Sequence, residues 1–142
     1  MSTETNKATV RRMLEQVWKE RRLDLIEEFY PEDVVQHIVG YPSSPGLEAV
    51  REGAATGLNA FPDLKLSIDD EIAEGDTVAA RWTMTGTQKD EFYGIPATGK
   101  QVTQSGMTFY RLANAKIAEL WFIGDNMGMM QQLGVIPEPG AA

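Results

Sequence analysis

The chain has 142 residues, a formal net charge of -8 and no cysteine. That length suits one domain with a real core, spanning 1–142 with loose ends at 1–5 and 137–142. The missing thiols exclude disulfides, thiolate metal sites and cysteine nucleophiles. Nucleic acid is an unsuitable partner, because Arg11-Arg12 and Arg21-Arg22 sit among glutamates and no cationic stripe forms to meet phosphate. The polar start Met-Ser-Thr-Glu-Thr-Asn lacks an apolar signal core, and no apolar run is long enough to span a bilayer. A soluble cytoplasmic protein is expected.

From Thr5 to Lys19, Val10, Met13, Leu14, Val17 and Trp18 fall on one helical face. A short second helix runs from Leu23 to Tyr30 and ends at Pro31, and Val34 to His37 reads as a brief strand. Gly40 to Gly46 has turn chemistry, and Leu47, Val50, Ala54, Leu58 and Phe61 mark a third helix. The period then changes. Leu66–Ile72, Thr77–Thr87, Lys100–Leu112 and Lys116–Ile123 have strand composition, with the turns between them short enough for antiparallel hairpins. A short amphipathic helix follows Asp125. Helices first and a sheet second argue α+β, with helices on one face of a curved, antiparallel-rich sheet. The strand Lys100–Leu112 has no cleanly apolar face, which suits either a ligand cavity or an edge strand with one wet side.

Asp125 is the residue most suited to chemistry. It stands where the apolar strand Lys116–Ile123 meets the last helix, beside Trp121 and Met127. A carboxylate held partly dry by apolar walls is a usable base near neutral pH. The alternative is that it N-caps the helix, and the two roles are compatible. The acidic stretch Asp69-Asp70-Glu71, with Glu74 and Asp76, reads as a solvated strand and turn without calcium-loop spacing, so no metal site is expected. Met127-Gly-Met-Met130 reads as core or dimer packing. No phosphate loop or Ser/His/Asp arrangement is visible.

Several segments carry a family resemblance. They are Phe61-Pro-Asp63, Glu74-Gly-Asp76, Gly86–Lys100, Lys116–Trp121, Trp121-Phe-Ile-Gly-Asp125 and Gln131-Gln-Leu-Gly134. Together they resemble the SnoaL-like polyketide cyclases, also called predicted ester cyclases. The resemblance implies a nuclear-transport-factor-2-like cone, with a curved sheet wrapped around a long helix and a deep cavity. It also implies cofactor-free aldol closure of a small hydrophobic carbonyl substrate, with Asp125 at the position of the family's acid/base aspartate. Where many members carry His after Gly-Thr, this chain has Gln88, which donates hydrogen bonds but does not titrate. His37, the only histidine, matches a position near the cavity mouth and is expected to polarise a carbonyl or to serve as a strand-end structural residue. Trp82, Phe92, Tyr110, Trp121 and Arg81 join Gln88 as expected substrate contacts. An Arg81–Asp125 pairing would suggest an epoxide hydrolase instead, although Trp82-Thr83 stands where such enzymes need a second aspartate. Relatives commonly pair through the outer sheet face, so a homodimer is expected. A binding module without turnover is the remaining reading, since fold does not settle function.

Overall fold

A computed structural model of the chain describes residues 2–137 and residue 140. Helix α1 spans Thr3–Met13 and continues as a wider π-helical stretch, Leu14–Lys19. The helix starts earlier than expected, because Ser2 accepts a hydrogen bond from the Thr5 N–H at 3.0 Å and so caps the first turn. Residues 2–5 are thus part of the fold rather than a loose end. A 3-10 turn at Leu23–Leu25 leads into α2, Ile26–Phe29. Strand β1 is Val35–Ile38, and β2 is only Ser44–Pro45, inside the expected loop. Helix α3 is Leu47–Ala60. Strands β3 (Lys65–Glu74), β4 (Thr77–Thr87), β5 (Gln101–Ala113) and β6 (Lys116–Gly124) follow, and α4 is Asn126–Gln132. Of the expected loose tail, 138, 139, 141 and 142 lie outside the described residues.

The six strands form one mixed sheet in the order β2-β1-β6-β5-β4-β3. All neighbours are antiparallel except β1 and β6, which run parallel with Val35 opposite Glu119 and His37 opposite Trp121. The α+β class expected from helix-then-strand order is the one observed.

Strict alternation divides β4 and β5 between two faces. Val78, Ala80, Trp82 and Met84 of β4, with Val102, Tyr110 and Leu112 of β5, are buried against the helices. Val10, Met13, Leu14 and Val17 meet them from the helical side. Burying one such aliphatic side chain stabilises the fold by about 1.5–3 kcal/mol. The opposite face presents Arg81, Met107, Phe109, Trp121 and Ile123 to solvent.

Two apolar clusters fill the helix-facing side. The larger joins α1, α2, α3 and the middle of the sheet. The second gathers Leu58, Phe61, Leu64, Trp82, Met84, Val102, Met129 and Leu133, so α4 closes one end of the interior. Gln132 fastens α4 to the start of β5, beyond the reach of β6, donating to the Thr103 carbonyl and accepting from the Thr103 N–H, both at 2.8 Å.

Candidate functional site

Asp125 is the N-cap of α4. Its Oδ1 accepts from the Gly128 N–H at 2.9 Å, and its own N–H donates to the Ser105 carbonyl at 2.9 Å. The carboxylate packs over Gly128, where a Cβ would collide with it. Asp125 is exposed, and Met127, expected to wall it, is 65% exposed. The dry setting expected for Asp125 is absent here. Gly124 occupies the inward position of β6, so the next residue leaves the core as the helix begins.

Its neighbour Asn126 reaches inward, accepting from Gln104 Nε2 at 3.1 Å. Gln104 is buried at the rim of the second apolar cluster and fits there because Gly124 has no side chain. The end of the interior beneath α4 therefore combines two amides and an aromatic wall, with the exposed Asp125 carboxylate outside it over Gly128. In that wall Trp82 stacks on Phe122 with centroids 5.3 Å apart and donates from Nε1 to Thr108 Oγ1 at 3.1 Å.

Trp82, Phe92, Tyr110 and Gln88 lie on the interior side, packed in or against the core. Gln88 is committed structurally. Its Oε1 accepts from the Thr98 hydroxyl at 2.7 Å and the Thr98 N–H at 3.2 Å, and its Nε2 donates to the Ile95 carbonyl at 3.0 Å. Burial raises the Tyr110 hydroxyl well above its ordinary pKa, so it stays protonated through neutral pH.

His37, Trp121 and Arg81 belong to the other face. His37 stacks on Trp121, bonds to Glu119 and Ser43, and makes no contact with Asp125. Arg81 pairs with Asp69 at 3.9 Å, so the Arg81–Asp125 pair of the hydrolase reading does not form. The eight expected site residues thus divide into four inside, three on the outer face, and Asp125 at the end of the sheet.

One carboxylate escaped the sequence reading. A β-bulge between Ile68 and Asp70 inserts Asp69 and reverses the alternation, turning Glu71 inward. Its side chain is only 5% exposed, so the solvated reading fails for this member of the acidic stretch. Oε1 accepts from Arg11 at 2.7 Å, while Oε2 is buried without a partner. Burial, opposed by Arg11 and Lys7, raises the Glu71 pKa. A carboxyl with a raised folded pKa favours the fold below its unfolded pKa, and that contribution is lost as pH rises through the folded value. Glu71→Leu is expected to stabilise the protein at pH 7 by about 1–3 kcal/mol, the cost of a buried unsatisfied acceptor. The gain should shrink in thermal melts as pH falls through the raised native value, and be smallest below the ordinary glutamate range, where both folded and unfolded chains carry the carboxyl neutral. An equal gain at both pH values would contradict this account.

The family profile of the SnoaL-like polyketide cyclases matches residues 8–133. The chain belongs to this family. Solved structures support the fold of this SnoaL-like protein. A protein from Jannaschia sp., assigned as a SnoaL-like polyketide cyclase, superposes with TM-score 0.88 at 23% identity, covering 95% of each chain. AclR from Streptomyces galilaeus, assigned as a hydroxylase, gives TM-score 0.85 at 29% identity over 96% of this chain and 85% of its own. IdmH from Streptomyces antibioticus, assigned as a polyketide cyclase, gives 0.78 at 28% identity over 91% of this chain and 98% of its own. No curated protein matches the sequence. Among the described residues, no helix of this family member is long and apolar enough to cross a membrane.

Proposed function

We propose that this chain is a cytoplasmic, cofactor-free SnoaL-type enzyme acting on a small hydrophobic carbonyl compound, with Asp125 as the acid/base group. The observation that carries this reading is that Asp125, exposed at the end of β6, directly precedes Asn126, which bonds inward to Gln104 where α4 closes the apolar cluster. A substrate seated over Asp125 would replace the water around it and thereby strengthen it as a base. Asp125 then takes a proton alpha to a carbonyl, and the enolate attacks a second carbonyl of the same molecule to form a carbon–carbon bond. The new alkoxide recovers the proton from the carboxylic acid. The Gln104 and Asn126 amides are the neighbouring groups suited to hold a carbonyl oxygen. The relatives assigned as polyketide cyclases fit this class of reaction. Exchange of alpha protons for deuterium in a small hydrophobic β-keto ester, followed by NMR, tests it directly. Catalysed exchange that vanishes in Asp125→Asn supports the reading, and exchange that survives the substitution rejects it.

A binding module without turnover is the second reading, favoured by Gln88, whose amide is already used up inside its own loop. It requires a retained ligand together with no catalysed exchange.

We also propose that the protein forms a homodimer through the part of the outer sheet face carried by β5 and the end of β6, leaving the β1–β2 edge uncovered. Met107, Phe109 and Ile123 are 55%, 53% and 50% exposed on the adjacent strands β5 and β6, with Met107 directly opposite Ile123. Contiguous exposed apolar surface of this kind marks interaction sites. Light scattering is expected to give twice the 15.7 kDa chain mass, and Phe109→Lys to give the single mass. A monomeric native protein would refute the dimer.

A further inference from the structure

Ser43, His37 and Glu119 form a continuous hydrogen-bonded array on the outer face, away from the site under α4. The Ser43 hydroxyl is 2.7 Å from His37 Nδ1, and His37 Nε2 is 2.6 Å from Glu119 Oε2. The backbone builds this alignment. β1 and β2 pair antiparallel with Gln36 opposite Ser44, which sets Ser43 across from His37. β1 and β6 pair with Val35 opposite Glu119 and His37 opposite Trp121, so the carboxylate and the indole flank the imidazole. Trp121 lies 5.2 Å from the His37 ring at an interplanar angle of 17°, fixing its plane. Arg111 Nε donates to the other Glu119 oxygen at 3.1 Å, holding the carboxylate in place.

The bonds also fix the proton. Glu119 is held below the ordinary carboxylate range, first by the His37 hydrogen bond and then by Arg111, so it is ionised and only accepts. Nε2 must therefore carry the hydrogen it shares with Glu119. In the neutral ring this leaves the Nδ1 lone pair to accept from the Ser43 O–H. A serine hydroxyl donating to an imidazole that a carboxylate orients is the arrangement of an activated nucleophile. Ser43 is exposed in its turn, with exposed Val39 and Tyr41 beside it to receive an apolar group.

We infer that Ser43 is a second, separate reactive centre, able to accept an acyl group from small carboxylic esters with apolar substituents. Oγ bonds to the ester carbonyl carbon as its proton passes to His37 Nδ1. The ester C–O bond then breaks, and the departing alcohol takes that proton. Water next gives a proton to Nδ1 and bonds to the acyl carbon. The acyl–Oγ bond breaks, the proton returns to Ser43, and a carboxylic acid leaves.

The test uses a fluorophosphonate probe on the purified full chain, with adducts located by peptide mass spectrometry. One phosphonyl group on Ser43, formed with loss of fluoride, is expected. His37→Gln should slow labelling by about 10²-fold or more, since Gln keeps a hydrogen-bonding side chain but takes no proton. Glu119→Gln should slow it as well, and matched thermal melts would separate these effects from unfolding. Absence of an adduct at Ser43, or undiminished labelling in His37→Gln, would overturn the proposal. The readout is a mass on Ser43, so it stands or falls independently of carbonyl turnover at Asp125.

Discussion

Asp125→Asn is expected to lower the rate of alpha-proton exchange by about 10²–10⁴-fold, the usual contribution of a positioned general base. The substitution is informative because Asp125 has two duties that different side chains separate. As N-cap it needs only an oxygen to accept the Gly128 N–H. Asn provides that oxygen and caps helices about as well as Asp, so the melting temperature should barely move. Asn cannot take a proton, so the chemistry is lost. Asp125→Ala loses both functions and should cost about 1 kcal/mol in addition, with α4 loosened over the apolar cluster. If Asn and Ala variants lost activity only in proportion to stability, Asp125 would be a cap alone. The measurements are exchange by NMR and unfolding by circular dichroism on the same preparations.

The division of the expected site between two faces was partly legible in the sequence. Arg81 and Trp82 are consecutive residues of a strand with clean alternation, and period 2 sends their side chains to opposite faces. A single cavity lined by both contradicts that periodicity. Trp121 and Phe122 obey the same parity: the first stacks on His37 outside, the second on Trp82 inside. The inward turn of Glu71 was not legible, because a β-bulge leaves no signature in a run of acidic residues. Nor was the β1–β6 pairing, which joins segments far apart in sequence and brings Glu119 and Trp121 to His37. The helices and the four long strands were legible because their apolar residues repeat at helical or strand spacing over many residues. The exposure of Asp125 depends on where β6 ends, and strand ends are set by tertiary contacts such as the bond from its N–H to Ser105.

Gly106→Ala is expected to be the most destabilising single-methyl change, costing about 3 kcal/mol or more and lowering the melting temperature by roughly 10 °C. Gly106 stands opposite Trp82 on one side and Gly124 on the other, so two glycines leave a notch in the inner face. The Trp82 ring occupies it. A Cβ at Gly106 would meet that ring and would lie 2.6 Å from the Ile123 carbonyl oxygen. Neither obstacle yields easily. The ring is held by its bond to Thr108 and its stack on Phe122, and the carbonyl belongs to the backbone of the neighbouring strand. The entropic benefit of replacing glycine, about 0.4–1 kcal/mol, acts in the opposite direction and is overwhelmed. Gly53 isolates that benefit, because it lies within α3 and a Cβ there meets nothing within 4 Å. Gly53→Ala should raise the melting temperature slightly while Gly106→Ala lowers it sharply. Shortening the ring should then relieve part of the clash, so Gly106→Ala combined with Trp82→Leu is expected to cost less than the two changes summed. Strict additivity would mean that the Ile123 carbonyl, and not Trp82, sets the limit at this notch.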